Sequence, residues 1–173
     1  MIYIISYPRS GNTAYRYLLE FLTGKPTNGI CGDTNPNDKL QQPLLHKGTD
    51  FVAHKRHDFE GVKDDDTVIF ITRDPLEAVI RHNQHRGVTT KKLYQWITNW
   101  FDLYKEFLDH KGNKMEIKYE NLVLVASPES KEIYPNCQSD SPDYHKSKLP
   151  DEVREELNLY VAQCWLNIGK WSE

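Results

Sequence analysis

The chain has 173 residues, 38% of them hydrophobic and 27% charged, and a formal charge of −3. That length suits one domain with a moderate core, and that balance excludes a wholly disordered chain. The small negative charge gives no reason for general nucleic-acid or membrane binding, so any anion site has to be local.

Residues 2–5 form a continuous apolar run rich in β-branched side chains, the pattern of a strand buried on both faces of a parallel sheet. A tight loop follows over residues 6–12, marked by Pro8 and Gly11. From Thr13 a helix is predicted, with Tyr15, Leu18, Leu19 and Leu22 at helical spacing and Gly24 and Pro26 as its stop. Residues 25–50 are polar, rich in Pro and Gly, and read as a long loop. A short strand is expected at residues 51–53 and a turn at residues 64–66. Residues 67–72 (TVIFIT) then give the clearest central strand of the chain.

Asp74, Pro75 and Glu77 open the next helix in the pattern of a capping box: Asp74 caps, Pro75 suits the first turn, and Glu77 reaches back. A further helix starts at Thr89 or Thr90 and carries Leu93, Trp96, Ile97, Trp100, Leu103, Tyr104 and Phe107 on one side. Residues 115–119 alternate as a strand, and residues 127–149, rich in Ser, Pro, Asp and Lys, read as a surface loop. Pro150 opens the last helix, with Asp151 and Glu152 in its first turn and Val153, Leu157, Val161, Cys164 and Ile168 as its buried stripe. Strands alternating with helices predict an α/β fold with a central parallel sheet, as a single domain over residues 1–173.

Cys31, Cys137 and Cys164 are far apart and form no CxxC pair, so neither a disulfide framework nor a cysteine zinc site is expected. With only four apolar residues after Met1 and no run of membrane-spanning length, the expectation is a cytoplasmic protein.

The sharpest feature is the order strand, SYPRSGNT (residues 6–13), helix. Free amides at a helix N-terminus favour an anion, and Gly11 lets the backbone approach a phosphate closely. Ser10, Asn12 and Thr13 add side-chain donors, and Arg9 adds a positive charge. The plainer reading is a strand-to-helix turn capped by Asn12 or Thr13. No Lys follows Gly11, so this is not the nucleotide-triphosphate loop GxxxxGK[ST].

YPRSGNT (residues 7–13) resembles the 5′-phosphosulfate loop of the sulfotransferases that use 3′-phosphoadenosine 5′-phosphosulfate (PAPS), usually written YPKSGTTW. VIFITRDPLEAVIR (residues 68–81) resembles the same family's 3′-phosphate segment. KRH (residues 55–57) and KYENL (residues 118–122) resemble its KTH and YEDL segments, and all four stand in the family's order. The resemblance implies a three-layer P-loop-like fold with helices flanking the sheet. It also implies metal-free transfer of a sulfuryl group from PAPS to a hydroxyl of a small molecule or glycan, releasing adenosine 3′,5′-bisphosphate. By position it assigns Arg9, Ser10, Gly11, Asn12 and Thr13 to the phosphosulfate, Arg73 and Arg81 to the 3′-phosphate, and Tyr119 to the neighbourhood of the adenine. His57 becomes the general base, and Arg9 and Lys55 stabilise the transferring group.

The sequence departs from that pattern in places. Arg9 replaces the usual Lys, Ala14 the Trp that stacks on adenine, and Arg81 the common Ser. The family's C-terminal RKGxxG arm is absent, and residues 167–171 (NIGKW) are a faint echo of it. The variable loops at about residues 25–50 and 127–149 are what remains to shape an acceptor pocket. His54 rivals His57 as the base, Arg73 and Asp74 read equally as a surface pair, Glu77 and Arg81 as an exposed helix pair, and Tyr119 as a core aromatic. His54, His57, His82 and His85 make two HxxH pairs, but no Cys or acid completes a zinc spacing. Two other classes stay open: a P-loop kinase of a nucleotide or small molecule, and a non-catalytic nucleotide-binding module.

Overall fold

A computed structural model describes residues 1–29, 45–83, 89–125 and 149–171. Five strands form one sheet: β1 (Ile2–Ser6), β2 (Thr27–Asn28), β3 (Ala53–Arg56), β4 (Thr67–Thr72) and β5 (Lys114–Lys118), in the order β2-β3-β1-β4-β5. Every pairing is parallel. The helices are α1 (Asn12–Thr23), α2 (Pro75–Asn83), α3 (Thr90–Asp109), α4 (Tyr119–Val125) and α5 (Asp151–Trp171). The fold is therefore α/β, a parallel sheet between two helical layers in a three-layer P-loop-like arrangement. None of the described helices is long and apolar enough to cross a membrane.

β1 and β4 are the central pair, registered from Ile2 opposite Thr67 to Ser6 opposite Ile71. Ile4, Ile5, Val68, Ile69 and Ile71 are buried across both faces, which is why these strands read as unbroken apolar runs. On one face Tyr3, Ile5, Val68 and Phe70 pack with α2, α3 and α5. The apolar positions expected of α3 and α5 all join this cluster, from Leu93 and Trp100 to Leu157 and Ile168. On the other face Ile4, Ala53 and Ile71 meet Tyr15, Leu19 and Leu122.

Three local expectations are corrected. β3 starts where the short strand was expected to end, at Ala53, and runs through His54, Lys55 and Arg56. Pairing to β1 holds it in place of an apolar run, with Tyr3 opposite His54 and Ile5 opposite Arg56. The expected stripe of α1 is only partly buried: Leu22 is 69% exposed, whereas Asn12, Arg16 and Glu20 are buried. The capping box at α2 is realised in half. Asp74 Oδ1 accepts the Glu77 N–H at 2.8 Å, but the Glu77 carboxylate binds Arg154 Nη1 of α5 at 2.8 Å.

The polar face of α1 has its own partners. Arg16 Nε donates to Thr27 Oγ1 at 2.8 Å, and Glu20 Oε1 accepts from the Thr27 N–H at 2.9 Å and from its hydroxyl. Glu20 Oε2 accepts the N–H groups of Leu45 at 2.6 Å and His46 at 3.3 Å. These bonds fasten α1 to the sheet edge at β2, a strand of two residues inside the stretch expected to be loop.

Candidate functional site

The strand order dictates where a site can form. After β1 the chain crosses over α1 to the β2 side of the sheet, and after β4 it crosses over α2 and α3 to the β5 side. The carboxyl ends of β1 and β4 therefore flank the point where the connections diverge, the usual ligand crevice of an open α/β sheet. All four segments singled out in the sequence leave strands at that edge: the loop after β1, Lys55 to His57 at the end of β3, Arg73 after β4, and Tyr119 after β5.

The loop after β1 has the backbone of an anion cradle. Arg9 has φ +68°, the only positive φ of a non-glycine among the described residues, and Gly11 has φ +89°, with Ser10 between them on the negative side. Alternating signs turn backbone N–H groups toward one concavity, with the Ser10 N–H donated to the Tyr7 carbonyl at 3.3 Å. A non-glycine in this region is strained by about 1–2 kcal/mol, a feature that concentrates at functional sites. Gly11 is also the N-cap of α1, so no side chain caps the first free amides of that helix. The Ser10 hydroxyl is buried and has no protein partner. A buried hydroxyl without a partner is costly unless a ligand or water completes it. These features fit a phosphate-like group.

Tyr119 and Arg73 close one side of the loop. A Cβ on Gly11 would lie 2.5 Å from Tyr119 Cδ2, so only glycine lets the ring rest there. The Arg73 guanidinium stacks 4.2 Å above the Tyr119 ring, and its Nη1 donates to the Arg9 carbonyl at 3.1 Å. Tyr119 is thus the first residue of α4, bound into the site through a cation–π contact. Arg73, Asp74, Glu77, Tyr119 and Glu120 line a cavity of about 300 Å³ on this β4–β5 side.

His57 stands on the other side of the loop, beyond β3. Its Nδ1 lies 2.6 Å from the Ser6 carbonyl oxygen. A carbonyl only accepts, so Nδ1 carries the proton and Nε2 keeps a lone pair. Burial, first of all, pushes the His57 imidazole down to about 4, and Lys55 and His82 add to the effect, while the Ser6 carbonyl and Asp58 oppose it. His57 is neutral at pH 7 with the tautomer a base at Nε2 requires. His54 has the opposite one. The Asn28 amide nitrogen donates to His54 Nδ1 at 3.2 Å, which places the proton on Nε2. His54 is also opposite Tyr3 in the strand register, well back from the sheet edge.

The remaining expected residues divide. Asn12 turns inward, its Nδ2 donating to the Ile4 carbonyl at 3.2 Å and to Ser6 Oγ at 3.1 Å. Thr13 lies in the first turn of α1, and Lys55 registers with Ile4 on β3 and acts electrostatically on His57. Arg81 is 8% exposed, within α2, so it does not form the exposed helix pair with Glu77. His82 packs edge-on between Tyr7 and Trp96, with ring centroids 5.9 and 5.8 Å away. His85, Cys31, Cys137, and the parts of the two variable loops over residues 30–44 and 127–148 lie outside the described residues. Among the described residues, no group of His, Cys, Asp or Glu is arranged to hold a metal ion.

Sequence reasoning missed the buried polar face of α1 and the unpartnered state of Ser10. The first had a signal, since Asn12, Arg16 and Glu20 recur every four residues. The second had none, because partnering depends on what packs around the loop. No protein-family model and no curated protein matches the sequence.

Proposed function

We propose that the chain is a cytoplasmic sulfotransferase that takes a sulfuryl group from PAPS and delivers it, without a metal, to a hydroxyl of a small molecule or glycan. One observation carries the reading: an anion cradle with an unpartnered buried hydroxyl at Ser10 is flanked by a neutral histidine on one side and an arginine–tyrosine stack on the other. The resemblance of the four segments supports it.

In this reading the amides of residues 11–13 and the Ser10 hydroxyl hold the phosphosulfate, and Arg73 and Arg81 take the 3′-phosphate. The cavity beside Tyr119 takes the nucleoside. Its carboxylates, Asp74, Glu77 and Glu120, suit hydroxyl and amino donors and repel phosphate, which leaves the phosphates to the loop and the arginines. On the β3 side, His57 accepts the acceptor's proton at Nε2 as the new O–S bond forms. Arg9 and Lys55 stabilise the charge that gathers on the departing oxygen as the old S–O bond breaks. A sulfuryl group carries less charge than a phosphoryl group, so arginine, lysine and backbone amides suffice where a kinase relies on Mg²⁺.

The test is thermal stability with adenosine 3′,5′-bisphosphate, against ADP, AMP and ATP–Mg²⁺. A ligand that binds only the folded state raises stability by about 2.7 kcal/mol at a hundred times its Kd. A selective rise with the 3′,5′-bisphosphate is expected, followed by PAPS-dependent turnover that His57→Ala abolishes while nucleotide binding stays. A rise only with ATP–Mg²⁺ would move the protein to the kinases. Binding of the 3′,5′-bisphosphate without turnover on any acceptor would make it a binding module.

A further inference from the structure

Asn12 occupies the row of residues that should face a phosphate, yet its side chain points the other way. It is 5% exposed, and both donor contacts of its Nδ2 lie beneath the loop, on the Ile4 carbonyl and on Ser6 Oγ. Its Oδ1 is buried as well. Ser6 is the last residue of β1, fully buried, and its carbonyl is the atom that accepts the His57 Nδ1–H.

We propose that Asn12 is a positioning residue for the base: it fastens the end of β1, so that the Ser6 carbonyl stays where it selects the Nδ1–H tautomer of His57 and leaves the Nε2 lone pair to take a proton. A neutral imidazole in water prefers the proton on Nε2, which is the wrong tautomer for a base acting through that atom. After burial, the groups acting on His57 are the Ser6 carbonyl, Lys55 and Asp58 on its own segment and His82 from α2; burial first, and these after it, set how readily the ring becomes charged. The ring is neutral at pH 7, so tautomer, more than charge, is what the surroundings have left to fix. Of the hydrogen-bond partners placed here, the Ser6 carbonyl does so, and Asn12 holds the residue that bears it.

The kinetic part of this inference rests on the sulfotransferase reading, but the tautomer does not. Histidine ¹⁵N spectra of the free protein, with the His57 signals identified by their loss in His57→Gln, read it directly. Wild type is expected to show a protonated Nδ1 and an unprotonated Nε2. In Asn12→Ala the Nε2–H form gains population and kcat falls by about 100-fold, as for misplaced catalytic groups, while affinity for adenosine 3′,5′-bisphosphate changes little. Asn12→Leu keeps the branched shape and removes the donor without adding a charge, and it should shift the tautomer in the same direction even where Asn12→Ala folds poorly. An unchanged His57 tautomer in a folded Asn12 variant overturns the proposal. So does a loss of nucleotide affinity with kcat intact, which would make Asn12 a ligand. Absence of any sulfuryl transfer would sink the proposed function and leave the tautomer measurement to decide this one.

Discussion

The two faces of the sheet are held by different physics. On the α2–α3–α5 face the core is apolar and aromatic, with Phe70 stacked on Phe107 at 4.9 Å and Trp100 on Tyr104 at 5.3 Å. On the α1 face a small apolar group, Ile4, Ala53 and Ile71, shares the interior with Asn12, Arg16 and Glu20. Apolar burial is strong and non-directional, so the first face supplies stability and tolerates small displacements. Hydrogen bonds are directional, and a buried polar group is costly when its partner moves. The loop after β1 runs straight into α1, so the face that fixes its geometry is the polar one.

The largest effects test that contrast directly. Trp100→Ala empties the centre of the apolar face and should cost about 3–5 kcal/mol. Glu20→Ala should cost a similar amount, about 3–5 kcal/mol, because it leaves the donors of Thr27, Leu45 and His46 without their acceptor, at about 1–3 kcal/mol for each buried group left unpaired. Denaturant unfolding measures both. Only Glu20→Ala should also disturb the loop, seen as a reduced stabilisation by adenosine 3′,5′-bisphosphate at saturating ligand. Equal disturbance from both variants would break the comparison.

Next in size is the pH dependence of the buried histidine. His57 is held down to about 4, and an unfolded histidine titrates near 6.5, so between those values the unfolded chain binds a proton that the folded chain refuses. The stability due to neutral His57 is complete above about pH 6.5 and is lost as pH falls toward 4, by up to about 3 kcal/mol. His57→Gln should flatten that part of the stability curve; an unaltered slope would show that the ring is not buried as neutral imidazole.

Gly11→Ala comes third, at about 1–3 kcal/mol, since it combines φ +89° with a Cβ against the Tyr119 ring. Adding Tyr119→Ala should recover the steric part and leave the backbone part; full additivity would mean the ring is not resting on the glycine. Asp74→Ala, which removes the cap of α2 on the apolar side, should cost about 1 kcal/mol and leave the His57 signals unchanged.

Much of the architecture was legible because it follows from short-range pattern. The runs at β1 and β4, the stripes of α3 and α5 and the glycine stop of α1 are periodicities and caps, and each appears where its residues predict. Elements that depend on neighbours were harder to read. β3 contains His54, Lys55 and Arg56, which carry no strand signal, and exists because β1 offers a parallel edge. α1 was read from its leucines, but Arg16 and Glu20 find Thr27 across the sheet edge and take the interior position instead. Glu77 was expected to stay local and instead reaches Arg154, 77 residues away.

The candidate site divides along the same line. By itself the sequence determined the strand–loop–helix order, the glycine and arginine of the loop, and the four segments in succession, because residue type and spacing are local properties of the chain. Only the tertiary structure decided which of these residues act together. Sheet order brings the four segments to one edge, strand register puts His57 there and His54 behind it, and the Ser6 carbonyl sets the His57 tautomer. It also turned Asn12 inward and left the Ser10 hydroxyl without a partner. A side chain's hydrogen-bond partners and solvation depend on atoms brought close by folding, and no local pattern encodes them.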